Sequence, residues 1–186
     1  MLLKNILLSF CFLVSVSAFS AEALRSLETL VSPISNDKVE AEQAVKLNHD
    51  ENSNQWFLVK LWSVDCGICR AQVPIVSKLH DDGLVNSTPS EEGLEGYRLS
   101  VLGVAIDSKS RNTEVVRYLK KSQPSYPNVI ADGGVIALWF GTLTQETFRG
   151  TPTYLLFDPD GELAAIQTSI LKPDSLDKFI SRYSKS

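Results

Sequence analysis

The stretch VKLWSVDCGICRAQVP, residues 59–74, places two cysteines three positions apart, between an apolar run and a segment with helical character. The run WFLVKLW is short and rich in β-forming residues, which predicts a buried strand. A helix is predicted over 66–82, beginning at the cysteines, and Pro74 is expected to bend or restart it. A cysteine pair at a strand-to-helix junction restricts the possible folds more than any other feature of this chain.

Strands and helices alternate along the rest of the sequence. Apolar runs predict strands over 97–107 and 126–132, and an amphipathic pattern predicts a helix over 111–122. Residues 153–166, TYLLFDPDGELAAI, predict a hairpin around the turn DPDG, and 172–186 predict a closing helix. Strand-helix-strand units followed by an antiparallel pair predict an α/β fold, with a central mixed β-sheet flanked by helices on both faces.

Shorter segments complete this outline. Residues 21–35 predict a short amphipathic helix, 133–141 a short helix or turn, and 81–96 a solvated loop. Three aromatic residues before the hairpin are expected to pack in the core: Trp139, Phe140 and Phe148.

The N-terminal segment, residues 1–20, has the layout of a secretory signal peptide: a cation at Lys4, an uncharged apolar run over 6–16, and then small residues. Its removal would leave 166 residues (186 − 20), the size of one ordinary domain. We expect an N-terminal extension over 21–37, a single domain over 38–186, and a periplasmic location. The alternative is an uncleaved segment that anchors the protein to the inner membrane.

The charge balance excludes one class of partner. Without Lys4 the chain has 17 basic and 22 acidic residues, a net charge of 17 − 22 = −5. No basic patch suggests nucleic acid.

Two cysteines, Cys66 and Cys69, remain once Cys11 is removed with the signal segment. A disulfide that closes so short a loop contributes little stability, because the entropic gain rises with loop length. A metal site would need two further ligands. The two histidines, His49 and His80, do not supply a suitable pattern, so we predict no metal. The pair is better explained by redox chemistry.

Thiol chemistry suits this arrangement. Only a thiolate attacks a disulfide sulfur, and the first turn of a helix favours the anion through its free N–H groups and its dipole. Cys66 would occupy that turn. Cys69 lies on the same helical face and could resolve a mixed disulfide.

The segment FLVKLWSVDCGICRAQVP resembles the active-site segment of the thioredoxin fold, and specifically that of the exported TlpA/ResA/CcmG-like thiol-disulfide oxidoreductases. The positions that match are Leu61, Trp62, Cys66, Cys69, Arg70, Ala71 and Pro74. RGTPTYLLFDPDGELA is similar to that family's Gly-Thr-Pro-Thr loop and following strand, and VLGVAID to its central strand. The resemblance covers roughly residues 38–183. It implies a cis-proline at Pro152, with Thr151 offering backbone hydrogen bonds to an extended substrate.

Three residues near the cysteines depart from the family pattern. Lys60 stands where thioredoxins usually carry a buried acid, and Gln72 replaces a glutamate. Asp65 directly precedes Cys66 and should disfavour its thiolate, whereas a nearby lysine should favour it. Each has a structural alternative: Lys60 could reach solvent at the sheet edge, and Asp65 could be an exposed acid or a helix cap.

The function expected from the sequence is thiol-disulfide exchange on protein cysteines, without a dissociable cofactor. Because the central dipeptide Gly67-Ile68 contains no histidine to acidify Cys66, a reductant is favoured over an oxidant. We expect a monomer, recycled by a membrane or periplasmic redox partner. The alternatives are a non-catalytic binding module of the same fold and a metallochaperone.

Overall fold

The computed structural model describes residues 21–34, 55–85 and 97–183. The strands in these ranges are β1 Ser32–Pro33, β2 Gln55–Trp62, β3 Leu84–Val85, β4 Tyr97–Ala105, β5 Asn128–Ile130, β6 Thr153–Phe157 and β7 Leu163–Thr168. The helices are α1 Ala21–Leu30, α2 Gly67–Ala71, α3 Val73–Asp82, α4 Asn112–Ser122, α5 Gly133–Thr144 and α6 Pro173–Tyr183, and a 3₁₀ turn over Lys109–Arg111 precedes α4.

One mixed sheet runs through these elements in the order β1-β5-β4-β2-β6-β7, with β3 paired to β4. Strand β2 is parallel to β4 and antiparallel to β6, and β4 is parallel to β5. The remaining pairs are antiparallel. Strand β2 therefore lies inside the sheet, which explains its near-continuous apolar sequence.

Alternate residues of β2 face opposite sides of the sheet. On one side Phe57 and Leu61 pack in the same cluster as residues of α1 and α5. On the other side Trp56 and Leu58 pack in a cluster with residues of α3 and α6. Lys60 falls on this second side by the same alternation.

The predicted strands and helices are confirmed for most of the described residues. The helix predicted over 66–82 is interrupted at Gln72 and restarts with Pro74 in the first turn of α3, which confirms the expectation for that proline. Trp139 and Phe140 are buried in the core, and the ring of Phe148 packs on that of Phe140.

Residues 81 and 82 fall in both the helix predicted over 66–82 and the loop predicted over 81–96, and the helix prediction is confirmed there. Gly83 ends that helix in the left-handed conformation. The loop prediction was wrong at Leu84 and Val85, which form a short strand. These two residues pair with β4, opposite Arg98 and Tyr97.

The short helix or turn expected over 133–141 is a longer helix, α5, which ends at Thr144. Asp132 caps it by accepting hydrogen bonds from the N–H groups of Gly134 and Val135.

Residues 1–20, 35–54, 86–96 and 184–186 lie outside the described ranges, and with them the predicted signal segment and His49. None of the helices that are described combines the length and the apolar character needed to span a bilayer.

Helix α1 packs into the core of the domain, although the sequence predicts an N-terminal extension over 21–37. Leu24 and Leu27 are buried in the same cluster as Phe57. The indole Nε1 of Trp139 on α5 donates a hydrogen bond to Ser26 Oγ at 3.0 Å. Helix α1 is therefore part of the packed core.

Replacing Leu27 by alanine tests this. The side chain is fully buried, so Leu27→Ala is expected to lower the free energy of unfolding by about 2–5 kcal/mol. Arg25→Ala, on the exposed side of the same helix, should change it by less than about 0.5 kcal/mol. Equal small effects in denaturant titrations of both variants would show that α1 does not pack as described.

Candidate functional site

The cysteine pair lies just beyond the carboxyl end of β2, at the start of α2. Cys66 is the N-cap residue, and its Sγ accepts a hydrogen bond from the Cys69 N–H at 3.0 Å. The two cysteines form a disulfide with an S–S distance of 2.06 Å. A backbone N–H directed at Sγ stabilises negative charge on that sulfur, as expected for an attacking thiolate.

The two cysteines differ in accessibility. Cys66 is half-buried, whereas Cys69 is only 1% exposed. An incoming disulfide could therefore reach Cys66 and not Cys69. This asymmetry matches the attacking and resolving roles predicted from the sequence.

Lys60 does not reach solvent, so the sheet-edge alternative is wrong. Its side chain is 1% exposed, in a strand with neighbours on both sides. Its Nζ donates to the carbonyl oxygen of Cys69 at 3.2 Å and to the hydroxyl of Tyr126 at 3.0 Å. None of the ion pairs among the described residues includes Lys60. Burial lowers the pKa of Lys60 to about 8.

Gln72 connects the cysteine helix to the rest of the site. It is buried, and its Oε1 accepts hydrogen bonds from the hydroxyl of Tyr154 at 3.3 Å and from the N–H of Leu171 at 2.7 Å. Tyr154 lies on β6 and Leu171 lies just before α6. Gln72 therefore connects the end of the cysteine helix to β6 and to the segment before α6.

Asp65 is paired with Arg111 and not with Lys60. Its side chain is 74% exposed, and its carboxylate accepts hydrogen bonds from Nη1 of Arg111 at 2.6 Å and from Nη2 at 3.2 Å. Arg111 lowers the pKa of Asp65, chiefly through these hydrogen bonds. Much of the negative charge that the sequence places beside Cys66 is thus compensated. The helix cap is Cys66, so Asp65 is the exposed acid of the two alternatives.

Asp107 fixes the loop that leads to Cys66, and sequence reasoning missed it. Its buried carboxylate accepts hydrogen bonds from the Val64 N–H and the Ser63 hydroxyl, both at 3.1 Å, and from Arg111 at 3.0 Å. The sequence contained one signal that could have identified Asp107. Asp107 is the last residue of the strand predicted over 97–107, and the carboxyl ends of parallel neighbours meet at one sheet edge.

The Thr151–Pro152 peptide bond is cis. Pro152 is buried and its carbonyl oxygen accepts the Ser169 N–H at 3.0 Å. The next residue, Thr153, pairs with Leu61 near the carboxyl end of β2. Thr151 and Pro152 therefore lie at the same edge of the sheet as the cysteine loop.

Metal-ligating side chains do not cluster in the part of the chain that the structure describes, since no group of three or more is found there. His80 is half-buried, and its Nδ1 accepts a weak hydrogen bond from the Val101 N–H at 3.4 Å.

Comparison with known proteins gives a match in structure but not in sequence. No protein family and no curated protein matches the sequence. The fold matches a thioredoxin-related protein from Neisseria meningitidis serogroup B, at 18% identity over 84% of this chain and 99% of that chain, with a TM-score of 0.57.

Two further solved structures are similar. A thiol:disulfide interchange protein of the thioredoxin family from Chlorobium tepidum TLS is 16% identical, over 70% of this chain and 80% of that one, with a TM-score of 0.53. StoA from Bacillus subtilis is 18% identical, over 69% of this chain and 84% of that one, with a TM-score of 0.50. The chain has the thioredoxin fold, which confirms the predicted fold class.

Replacing Lys60 by methionine tests the buried amine. The folded-state pKa of Lys60, about 8, lies below that of a lysine in the unfolded chain, so the unfolded chain holds the proton more tightly between these two values. The resulting destabilisation is complete below about pH 8 and disappears as the pH rises toward about 10.5. The stability of the wild type should therefore rise relative to that of Lys60→Met through this window, by about 3 kcal/mol at most.

Denaturant titrations of the oxidised proteins at several pH values measure this difference. Lys78→Met serves as the control, because Lys78 is an exposed lysine on α3. A Lys60→Met difference that is as independent of pH as the Lys78→Met difference would contradict a buried, titrating amine.

Replacing Arg111 by methionine tests the compensation of Asp65. In a reduced Cys69→Ala background, Arg111→Met should raise the pKa of the Cys66 thiol, because the carboxylates of Asp65 and Asp107 then lack their cation. Adding Asp65→Asn should reverse part of the rise. The ultraviolet absorbance of the thiolate measures the pKa. An unchanged Cys66 pKa in Arg111→Met would show that the pair does not act on the thiol.

Proposed function

We propose that this protein is a thiol-disulfide oxidoreductase that acts on the cysteines of other proteins. The observation that carries the proposal is the pair itself: a half-buried Cys66 at a helix start, joined to a fully buried Cys69. The resemblance to TlpA/ResA/CcmG-like proteins supports membership of that exported group. The names of two matched structures, a thioredoxin-related protein and a thiol:disulfide interchange protein, agree with this chemistry.

The reaction would proceed in two exchanges. In the reduced protein the Cys66 thiolate attacks one sulfur of a substrate disulfide, forms a mixed disulfide and releases the other sulfur as a thiolate. Cys69, as its thiolate, then attacks Sγ of Cys66 and releases the second substrate thiolate. Two electrons pass to the substrate and the Cys66–Cys69 disulfide is restored, so no dissociable cofactor takes part.

The substrate would dock beside the cis-proline. Thr151 and Pro152 lie at the sheet edge that carries Cys66, and Thr151 is half-buried. Backbone groups of Thr151 would pair with an extended segment of the substrate, as the family resemblance implies. Ile68, 46% exposed between the two cysteines, would add an apolar contact.

Sequence features support a direction of electron flow and a location for this protein. Because no histidine lies between the cysteines to acidify Cys66, reduction of substrates is the favoured direction. The signal-like segment over 1–20 supports a periplasmic protein or one held at the inner membrane. A partner in that compartment would return electrons to the disulfide, and the protein would act as a monomer.

Reduction of insulin by dithiothreitol tests the activity. The wild type is expected to accelerate the reaction, and Cys66→Ser to reduce the rate to that of dithiothreitol alone, because the attacking sulfur is lost. Lys78→Met, a surface change away from the pair, should retain the wild-type rate. If the folded wild type shows no acceleration, the oxidoreductase proposal is wrong and the binding-module alternative takes its place.

A trapping experiment identifies the substrates. Cys69→Ala should hold substrate proteins as mixed disulfides on Cys66, visible as bands that disappear on reduction. The double variant with Cys66→Ser should hold none. Equal capture by both variants would exclude Cys66 as the attacking residue.

A further inference from the structure

A buried lysine lies beside the resolving cysteine. The Nζ of Lys60 is 3.2 Å from the carbonyl oxygen of Cys69, and its second partner is the hydroxyl of Tyr126. Neither partner carries a negative charge. A buried cation without an anion is costly, and an apolar side chain of similar size would avoid that cost. Stability alone therefore does not explain a lysine at this position.

Other titratable groups around this lysine lie on three elements and in the segment before β5. Tyr154 on β6 is the direct strand partner of Lys60, and Tyr126 precedes β5. His80 on α3 lies with its ring 6.5 Å from that of Tyr126, and Tyr118 on α4 interacts with Tyr126. Burial raises the pKa values of Tyr126 and Tyr154, so both hydroxyls keep their protons.

Arg70 on α2 is a charged side chain near these groups, since it interacts with Tyr118. Nζ of Lys60 lies above the ring of Tyr126, 5.5 Å from its centroid, on the electron-rich face of the ring. The contacts that the structure gives Lys60 thus accommodate either the ammonium or the neutral amine.

In the oxidised protein Cys69 is bonded to Cys66 and carries no thiol proton. Once the pair is reduced, Cys69 becomes a buried thiol, and burial by itself disfavours its thiolate. Gln72, at the position of the family's glutamate, cannot accept a proton. Of the described side chains that hydrogen-bond to Cys69, Lys60 is the one that can act as a base.

We propose that Lys60 accepts the proton of the Cys69 thiol when Cys69 resolves the mixed disulfide. This inference rests on the proposed oxidoreductase function. It assigns a base to the site even though both expected carboxylates are absent.

Proton transfer comes before the exchange of sulfur–sulfur bonds. The neutral Lys60 amine takes the Cys69 proton and becomes an ammonium, and the Cys69 sulfur becomes a thiolate. That thiolate attacks Sγ of Cys66, the bond between Cys66 and the substrate sulfur breaks, and the substrate leaves as a thiolate carrying the electron pair. The ammonium then returns its proton to the leaving thiolate or to solvent. In the reverse direction, Lys60 would protonate Cys69 as its thiolate leaves.

An amine and a carboxylate carry different charges once they have accepted a proton. A carboxylate becomes neutral when it takes the proton, whereas an amine becomes a cation beside the new thiolate. The pair of opposite charges stabilises the ionised thiol in a region of low dielectric constant. Cys69 should therefore ionise at a lower pH with Lys60 present than without it.

A thiolate titration tests this without any substrate. In reduced Cys66→Ser protein, where Cys69 is the remaining thiol of the pair, ultraviolet absorbance reports its ionisation. Removing the amine with Lys60→Met should raise the Cys69 pKa by about one unit or more. Lys78→Met should leave it unchanged. Equal Cys69 pKa values with and without Lys60 would overturn the proposal, whether or not the protein is an enzyme.

A rapid-mixing experiment with an aromatic disulfide, Ellman's reagent, tests the step itself. Attack by Cys66 on the reagent releases one coloured thiolate, and resolution by Cys69 releases a second. In Lys60→Met the first phase should stay within about twofold of the wild type, while the second slows by about a hundredfold near neutral pH. The midpoint of its pH profile should also move upward.

Further variants distinguish a proton acceptor at position 60 from a fixed positive charge there. Lys60→Arg keeps a cation that cannot lose its proton, so its second phase should stay slow. A wild-type second phase in Lys60→Arg or Lys60→Met would overturn the proton-acceptor role. In both cases a wild type that reduces insulin leaves the proposed function intact. If instead the wild type shows neither phase, the proposed function itself fails. The thiolate titration then still tests whether Lys60 lowers the pKa of Cys69.

Discussion

The interior position of strand β2 is the constraint on which the site depends. Because β2 runs parallel to β4 and antiparallel to β6, the carboxyl ends of β2 and β4 and the amino end of β6 meet at one edge of the sheet. The chain places Cys66, Asp107 and Pro152 just beyond those three ends. The same pairing buries β2 on both faces, so a polar side chain within it must find its partners inside the protein.

Much of the fold could be predicted because its signals are local. The strand over WFLVKLW, the helix restart at Pro74 and the hairpin around DPDG each depend on a few adjacent residues. Strand β3 was missed because two residues give no periodic pattern, and its pairing with Arg98 and Tyr97 depends on the tertiary fold. Helix α5 was underestimated because Gly133 and Gly134 resemble a turn, whereas the Asp132 cap starts a helix there.

The cysteines could be predicted from spacing and context, but their surroundings could not. The side-chain partners of Asp65 and Lys60 lie 46 and 66 residues away in the sequence, at Arg111 and Tyr126. A strand with both faces covered has no alternation that distinguishes a buried lysine from one that reaches solvent. Only the register of β2 with its neighbours fixes Lys60 beneath the cysteine helix. The local charge balance around the pair is thus a tertiary property, with an ion pair on the exposed side and an amine on the buried side.

The side chain of Gln72 has a consequence for molecular association. By accepting hydrogen bonds from Tyr154 and from the backbone before α6, it holds the cysteine helix, the strand after the cis-proline and the last helix in one arrangement. If a substrate docks beside the cis-proline as proposed, these three segments are already held in place, so the substrate loses its own conformational entropy while this protein loses little. Affinity would then discriminate among partners by how readily each becomes extended, and locally unfolded chains would be favoured over compact ones.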